Sequence, residues 1–180
     1  VLDSGGHDYE HIWTTDALRG LISGTLSVRV SDEGIHSGNS GGTIPSSFRI
    51  QRILLDRVEN SETGEILIPE LHTEIPPEII NQAENLAHII KDKLWKKFPT
   101  VNSLKSVSKT TLDMIIGMNW KPSLCIIGAD GIPSIKNAGN VLRTNTDLNL
   151  SGDANAIKGD TITIVAGDVF PPNFSGFGKD

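Results

Sequence analysis

The chain has 180 residues, of which 37% are hydrophobic and 21% charged, and a formal net charge of −6. That balance predicts a globular domain with one sizeable core. It argues against a nucleic-acid surface, because no Lys/Arg-rich block offsets the acidity. No run approaches the roughly 18 apolar residues of a membrane span and no secretory leader opens the sequence, so a cytoplasmic location is expected.

Val1-Leu2-Asp3-Ser4-Gly5 reads as the end of a strand entering a glycine turn, as though the sequence starts in mid-fold. From Leu21 to Asp32 the residues alternate. Leu26, Val28 and Val30 share one face and Thr25, Ser27 and Arg29 the other, the pattern of a half-buried strand. The run Gly34-Ile35-His36-Ser37-Gly38-Asn39-Ser40-Gly41-Gly42 follows and reads as a loop. Pro45-Ser46-Ser47 offers a helix start, with a serine available as cap. Ile50, Ile53, Leu54 and Val58 then recur at helical spacing.

A second helix is expected after Pro76-Pro77-Glu78, where Ile79, Ala83, Leu86, Ala87, Ile90 and Leu94 form one apolar stripe. Residues 99–109 read as a loop, and 111–117 as a short helix. Ser123 to Ile127 is a compact apolar run, expected to be a central strand. Cys125 lies within it; as the single cysteine it excludes an internal disulfide, and its setting predicts a buried thiol. Residues 129–139 carry the glycine, proline and asparagine of a loop. Val141 to Ser151 alternates again, with Leu142, Leu148 and Leu150 on one face. The β-branched run at 161–165 gives a last strand. Four strands with helices on one side describe an open-faced sandwich whose sheet edge can pair with a second copy.

Three residues stand out for chemistry. His36 lies among glycines that permit close approach of a ligand, and its imidazole could donate to a carbonyl oxygen gaining negative charge; an exposed loop histidine is the alternative. Asp3, at a strand end, could ligate a metal or cap a turn. Asn140, just before a strand, reads first as a turn residue. His7 and His11 lie four apart but lack the glutamate position of a His-Glu-x-x-His helix, so they read as surface histidines. His72 and His88 are isolated and read as structural or solvated. Trp13, Trp95 and Trp120 read as core or interface anchors.

An ordered set of motifs carries further information: Leu2-Asp3-Ser4-Gly5, Leu18-Arg19-Gly20, His36-Ser37-Gly38 with Gly41-Gly42, Pro45-Ser46-Ser47-Phe48, Gly128-Ala129-Asp130-Gly131 and Ala138-Gly139-Asn140-Val141. Together they resemble the lid, or dimerisation, domain of the two-zinc aminoacylase/carboxypeptidase family, which includes carnosinase-like dipeptidases, glutamate carboxypeptidase and succinyl-diaminopimelate desuccinylase. The resemblance runs from residue 1 to about 151.

It implies an α+β, ferredoxin-like open-faced sandwich: a four-stranded antiparallel sheet, helices on one face, and a helical insertion. It implies residues 1–20 as the end of a catalytic domain and connector, and 21–167 as the lid. The insertion covers about 65–118 and a shortened link 151–160, and 168–180 starts the return to the catalytic domain. The parent would be a homodimeric zinc metallopeptidase or amidohydrolase cleaving peptide or N-acyl amide bonds. Its lids would pair through the sheet edge and first helix. His36 would reach a partner's active site, Asn140 would line the substrate pocket, and Asp3 would ligate zinc.

The sequence departs from the family in lacking the His-x-Asp, bridging aspartate, Glu-Glu pair and late histidine of the metal cluster. It also lacks the substrate-carboxylate arginine beyond the asparagine, since Gly152 and Asp153 follow Ser151. These departures predict a truncated lid with no tightly bound zinc and no hydrolysis of its own. The alternative is a non-catalytic, dimeric ferredoxin-like module that binds a small ligand.

Overall fold

The computed structural model describes residues 6–14, 18–139, 141–143 and 145–154. Among these residues the main sheet has three strands, β1 (Gly20–Arg29), β3 (Ser123–Asp130) and β5 (Asn145–Ala154), in the order β1-β5-β3 with both pairings antiparallel. A separate two-residue ladder joins β2 (Ile35–His36) to β4 (Val141–Leu142). The described residues thus hold a three-stranded sheet and a small second one, not the expected four-stranded sheet. The expected last strand at 161–165 lies outside the described residues. No helix among the described residues is long and apolar enough to cross a membrane.

The alternation of β1 does what its period predicts. Leu26 and Val28 are buried, while Thr25, Ser27 and Arg29 are exposed. Leu26 pairs with Leu148 of β5, so both strands turn the same apolar face inward. The helix α2 (Ser47–Leu55) covers that face, and Ile50 and Leu54 close a core with Leu26, Val28 and Leu148. Its start is fastened from the far end of the sequence. Ser47, fully buried, donates both its N–H (2.8 Å) and its hydroxyl (3.0 Å) to the carbonyl of Arg143. The capping role expected of a serine here is thus a tertiary tie. Ser46 occupies the N-cap position without a side-chain bond.

Among the described residues the apolar run at 123–127, expected to be a central strand, pairs on one side, β3 with β5. A bulge between Ile126 and Gly128 adds Ile127 as an extra residue. Ile126 and Ile127 are 52% and 62% exposed, and Cys125 is exposed rather than buried. Ile126 faces the same side as its partner Leu150, whereas α2 packs over β1 and β5. The alternation at 141–151 is also divided. Leu142 belongs to the small sheet, opposite Ile35, and Leu148 and Leu150 to the large one.

The helices between residues 77 and 119 build a second core. Helix α3 (Pro77–Ile90) starts with proline in its first turn, where a missing N–H costs nothing. The stripe predicted to continue to Leu94 is interrupted: Lys91 takes φ 52°, ψ −135°, and a separate turn α4 (Lys93–Lys96) follows. Leu94 still packs with Ala83 and Ile90, and with Ile115 of α5 (Thr111–Asn119). The periodicity therefore tracked packing rather than backbone continuity. A capping box between Thr110 and Asp113 opens α5. Its Thr111 hydroxyl donates to the Lys91 carbonyl at 3.0 Å, fastening the break. A non-glycine residue in this conformation carries strain, so Lys91→Gly is expected to raise stability by about 1 kcal/mol. A thermal melt that moved downward would contradict this.

Candidate functional site

The turn after β1 gives His36 a defined seat. His36 ends β2 and is the N-cap of the one-turn helix α1 (Ser37–Ser40). The Gly38 N–H donates to His36 Nδ1 at 3.1 Å. Buried Ser40 donates its hydroxyl to the His36 carbonyl at 3.0 Å. Both the backbone and the ring of His36 are thus fixed by the residues that follow it. What reads as a loop in the sequence is a short strand and a helical turn.

The glycines serve separate needs. A Cβ on Gly38 would lie 3.1 Å from both Cε1 and Nδ1 of the imidazole, so glycine is what lets the ring fold back over the backbone. A Cβ on Gly41 would lie 2.8 Å from the Ser37 carbonyl oxygen, which already accepts from the Gly41 N–H at 2.8 Å. Gly42 has φ 83°, in the left-handed region.

This geometry selects a tautomer. A neutral imidazole has one donor and one acceptor nitrogen; with Nδ1 accepting, the proton resides on Nε2. His36 is exposed, and its Nε2–H is left as a donor for a ligand oxygen. Across the small sheet His36 pairs with Val141. Val141 follows Asn140 in the sequence. Asn140 itself, like Asp3, lies outside the described residues.

Of the two histidines read as surface residues, His11 is exposed and His7 partly covered. Asp8 lies 3.0 Å from His11 Nδ1 through each carboxylate oxygen and accepts from Trp13 Nε1 at 3.3 Å. The His11 hydrogen bond holds the Asp8 carboxyl below the usual range. His7 is half-buried, edge-on to Trp13 with ring centroids 4.8 Å apart. Burial first, and the charge of Lys97 second, push its imidazole below the ordinary value. Among the described residues no group of three or more His, Cys, Asp or Glu side chains could hold a metal ion. His72 is structural, with Nε2 2.7 Å from the Ile66 carbonyl, and His88 is exposed on α3.

Two residues with clear roles escape a reading by polarity. Gln51 is 1% exposed and donates its amide to the Thr146 carbonyl at 2.9 Å and the Leu26 carbonyl at 3.4 Å, tying α2 to both strands beneath it. Its signal is positional: Ser47, Ile50, Gln51 and Leu54 fall at i, i+3, i+4 and i+7, and all four are buried. Arg19 donates from Nη1 to the carbonyls of Lys121 (2.8 Å) and Gly117 (3.3 Å) and to the Ser123 hydroxyl (3.3 Å). A cation at the end of α5 meets the negative pole of that helix.

Several solved structures share this fold. Human carnosine dipeptidase 1 superposes with a TM-score of 0.59 at 22% identity, over 76% of this chain and 29% of that one. The di-peptidase Dug1p from Saccharomyces cerevisiae gives 0.53 at 21%, over 76% and 28%. The M20 family metallo-carboxypeptidase Sso-CP2 from Sulfolobus solfataricus gives 0.53 at 13%, over 76% and 35%. The chain therefore spans about a third of the length of these enzymes. No family model and no curated protein matches it.

Proposed function

We propose that this chain is the lid and dimerisation part of a zinc-dependent peptidase or amidohydrolase that cleaves peptide or N-acyl amide bonds. Residues 21–167 would form the lid, with 1–20 and 168–180 joining it to a catalytic domain. The observation that carries the reading is the seat of His36: an exposed imidazole, fixed by Gly38 so that its Nε2–H is the remaining donor. The fold shared with dipeptidases and a metallo-carboxypeptidase supports it.

The residues described here do not fit a two-zinc centre, which needs several convergent ligands. In this reading those ligands come from the rest of a longer protein, with Asp3 as the one zinc ligand this chain supplies. The part taken by His36 is electrostatic. As a nucleophile adds to the scissile carbonyl, its oxygen gains negative charge, and an N–H donor placed at that oxygen stabilises the developing charge. Asn140, adjacent in sequence to the residue that pairs with His36, would position the same substrate.

His36 would act on the active site of a partner subunit in a homodimer. Mixing tests this. Subunits carrying His36→Ala and subunits lacking a metal ligand, each strongly impaired alone, should regain activity when they form mixed dimers, because one site then has both an intact metal centre and an intact histidine. Mixed dimers that remain inactive would rule out action in trans.

A further inference from the structure

Arg143 lies two residues beyond Val141, which pairs with His36 across the small sheet. Residues directly opposite in a ladder share a face, and so do residues i and i+2 of an extended chain. Arg143 therefore takes a register position on the His36 side. Diagonal neighbours of this kind are about 7–8 Å apart, within reach of a long side chain. The backbone there is fixed, because the Arg143 carbonyl accepts both the N–H and the hydroxyl of fully buried Ser47.

The state of its side chain is the second observation. Of the six arginines, Arg29, Arg49, Arg52 and Arg57 are exposed, and Arg19 and Arg143 are partly buried. Arg19 is met by three acceptors. The Arg143 guanidinium makes no hydrogen bond or ion pair among the described residues. A cation that is partly buried and unpaired is disfavoured until an anion meets it. The positive pole of α2, where the Arg143 backbone is tied, adds to that demand. Neither carboxylate leading into β2 answers it: Asp32 pairs with Arg29 at 2.7 Å, and exposed Glu33 forms no ion pair among the described residues.

We infer that Arg143 binds a free carboxylate of the substrate while His36 meets the carbonyl of the bond being cut. The inference rests on the lid reading above and narrows its substrate class. The carbonyl and the carboxylate must lie a few atoms apart on one molecule. An amide formed on the amino group of an α-amino acid satisfies this, since only the nitrogen and Cα separate the two carbons. The planar guanidinium suits a carboxylate through two parallel hydrogen bonds, which a lysine cannot reproduce.

The test compares a dipeptide or N-acyl amino acid cleaved by the parent enzyme proposed above with the C-terminal amide of the same compound. The acid should be favoured in kcat/KM by roughly ten- to a hundredfold, the scale of a charge-assisted hydrogen bond. Arg143→Gln should remove that preference by slowing the acid alone, and Arg143→Lys should keep only part of it. The tie to Ser47 uses the Arg143 carbonyl, so both variants should melt close to the unaltered protein. An undiminished acid preference in Arg143→Gln, or an equal loss on acid and amide, overturns the inference. If Arg143→Gln does not fold, Arg143→Lys decides, and an unchanged preference there rejects the role. His36→Ala, measured alongside, separates the two readings. A normal kcat in that variant removes the lid reading itself, whereas a lowered kcat with an unchanged preference in Arg143→Gln rejects Arg143 alone.

Discussion

Replacing His36 with alanine is expected to lower kcat about a hundredfold or more in the parent enzyme proposed above, the usual scale for an oxyanion-hole donor. KM should change far less, because the hydrogen bond strengthens as charge develops on the carbonyl oxygen rather than in the ground state. Gly38→Ala should act through the same residue. Its methyl would sit 3.1 Å from the ring and displace it, and a misplacement of about 1 Å can itself cost up to two orders of magnitude. Combined with His36→Ala it should therefore add almost nothing, and steady-state kinetics of the three variants measure that coupling. A His36→Ala enzyme with near-normal kcat would remove the histidine from the chemistry.

Gly131→Ala is expected to be the most damaging small substitution to the fold. Gly131 follows β3 with φ 78°, and a Cβ there would lie 2.4 Å from the Asn145 carbonyl oxygen and 3.1 Å from Thr146 Cα. Both contacts are backbone of β5, so no side-chain rotation relieves them. The strand that must move carries buried Thr146, whose carbonyl holds Gln51. Left-handed strain and the clash together should cost about 3 kcal/mol, which lowers Tm by roughly 6–12 °C for a domain of this size. Gly24→Ala, where a Cβ meets nothing within 4 Å, is the control and should leave Tm nearly unchanged. A Gly131→Ala melt matching that control would refute the account.

The elements most legible in the sequence are those with one apolar and one polar face. The alternation of β1 and the stripe of α3 each declare a buried side, and Leu26, Val28, Ala83 and Ile90 are found there. The run at 123–127 has no polar face to declare. Five consecutive apolar or small residues fit a strand covered on both sides equally well as an edge strand, and burial depends on neighbours the local sequence does not encode. Lys91 was hidden for the opposite reason, since the helical period continues through the break. Of the candidate site, the glycines around His36 marked the position. The ring's bond to Gly38 was not legible, because it depends on α1 starting at Ser37 and not on composition. Asp3 and Asn140 stay assigned by resemblance.

The bonds made by Arg19 have a mechanical side. The residues just before β1 are tied to the end of α5 and the start of β3, about a hundred positions further along the chain. A pull on the segment entering β1 is shared at once between the sheet and the helix α5. Load arriving on that segment would then turn the sheet and this helix as one lever, instead of peeling the first strand away.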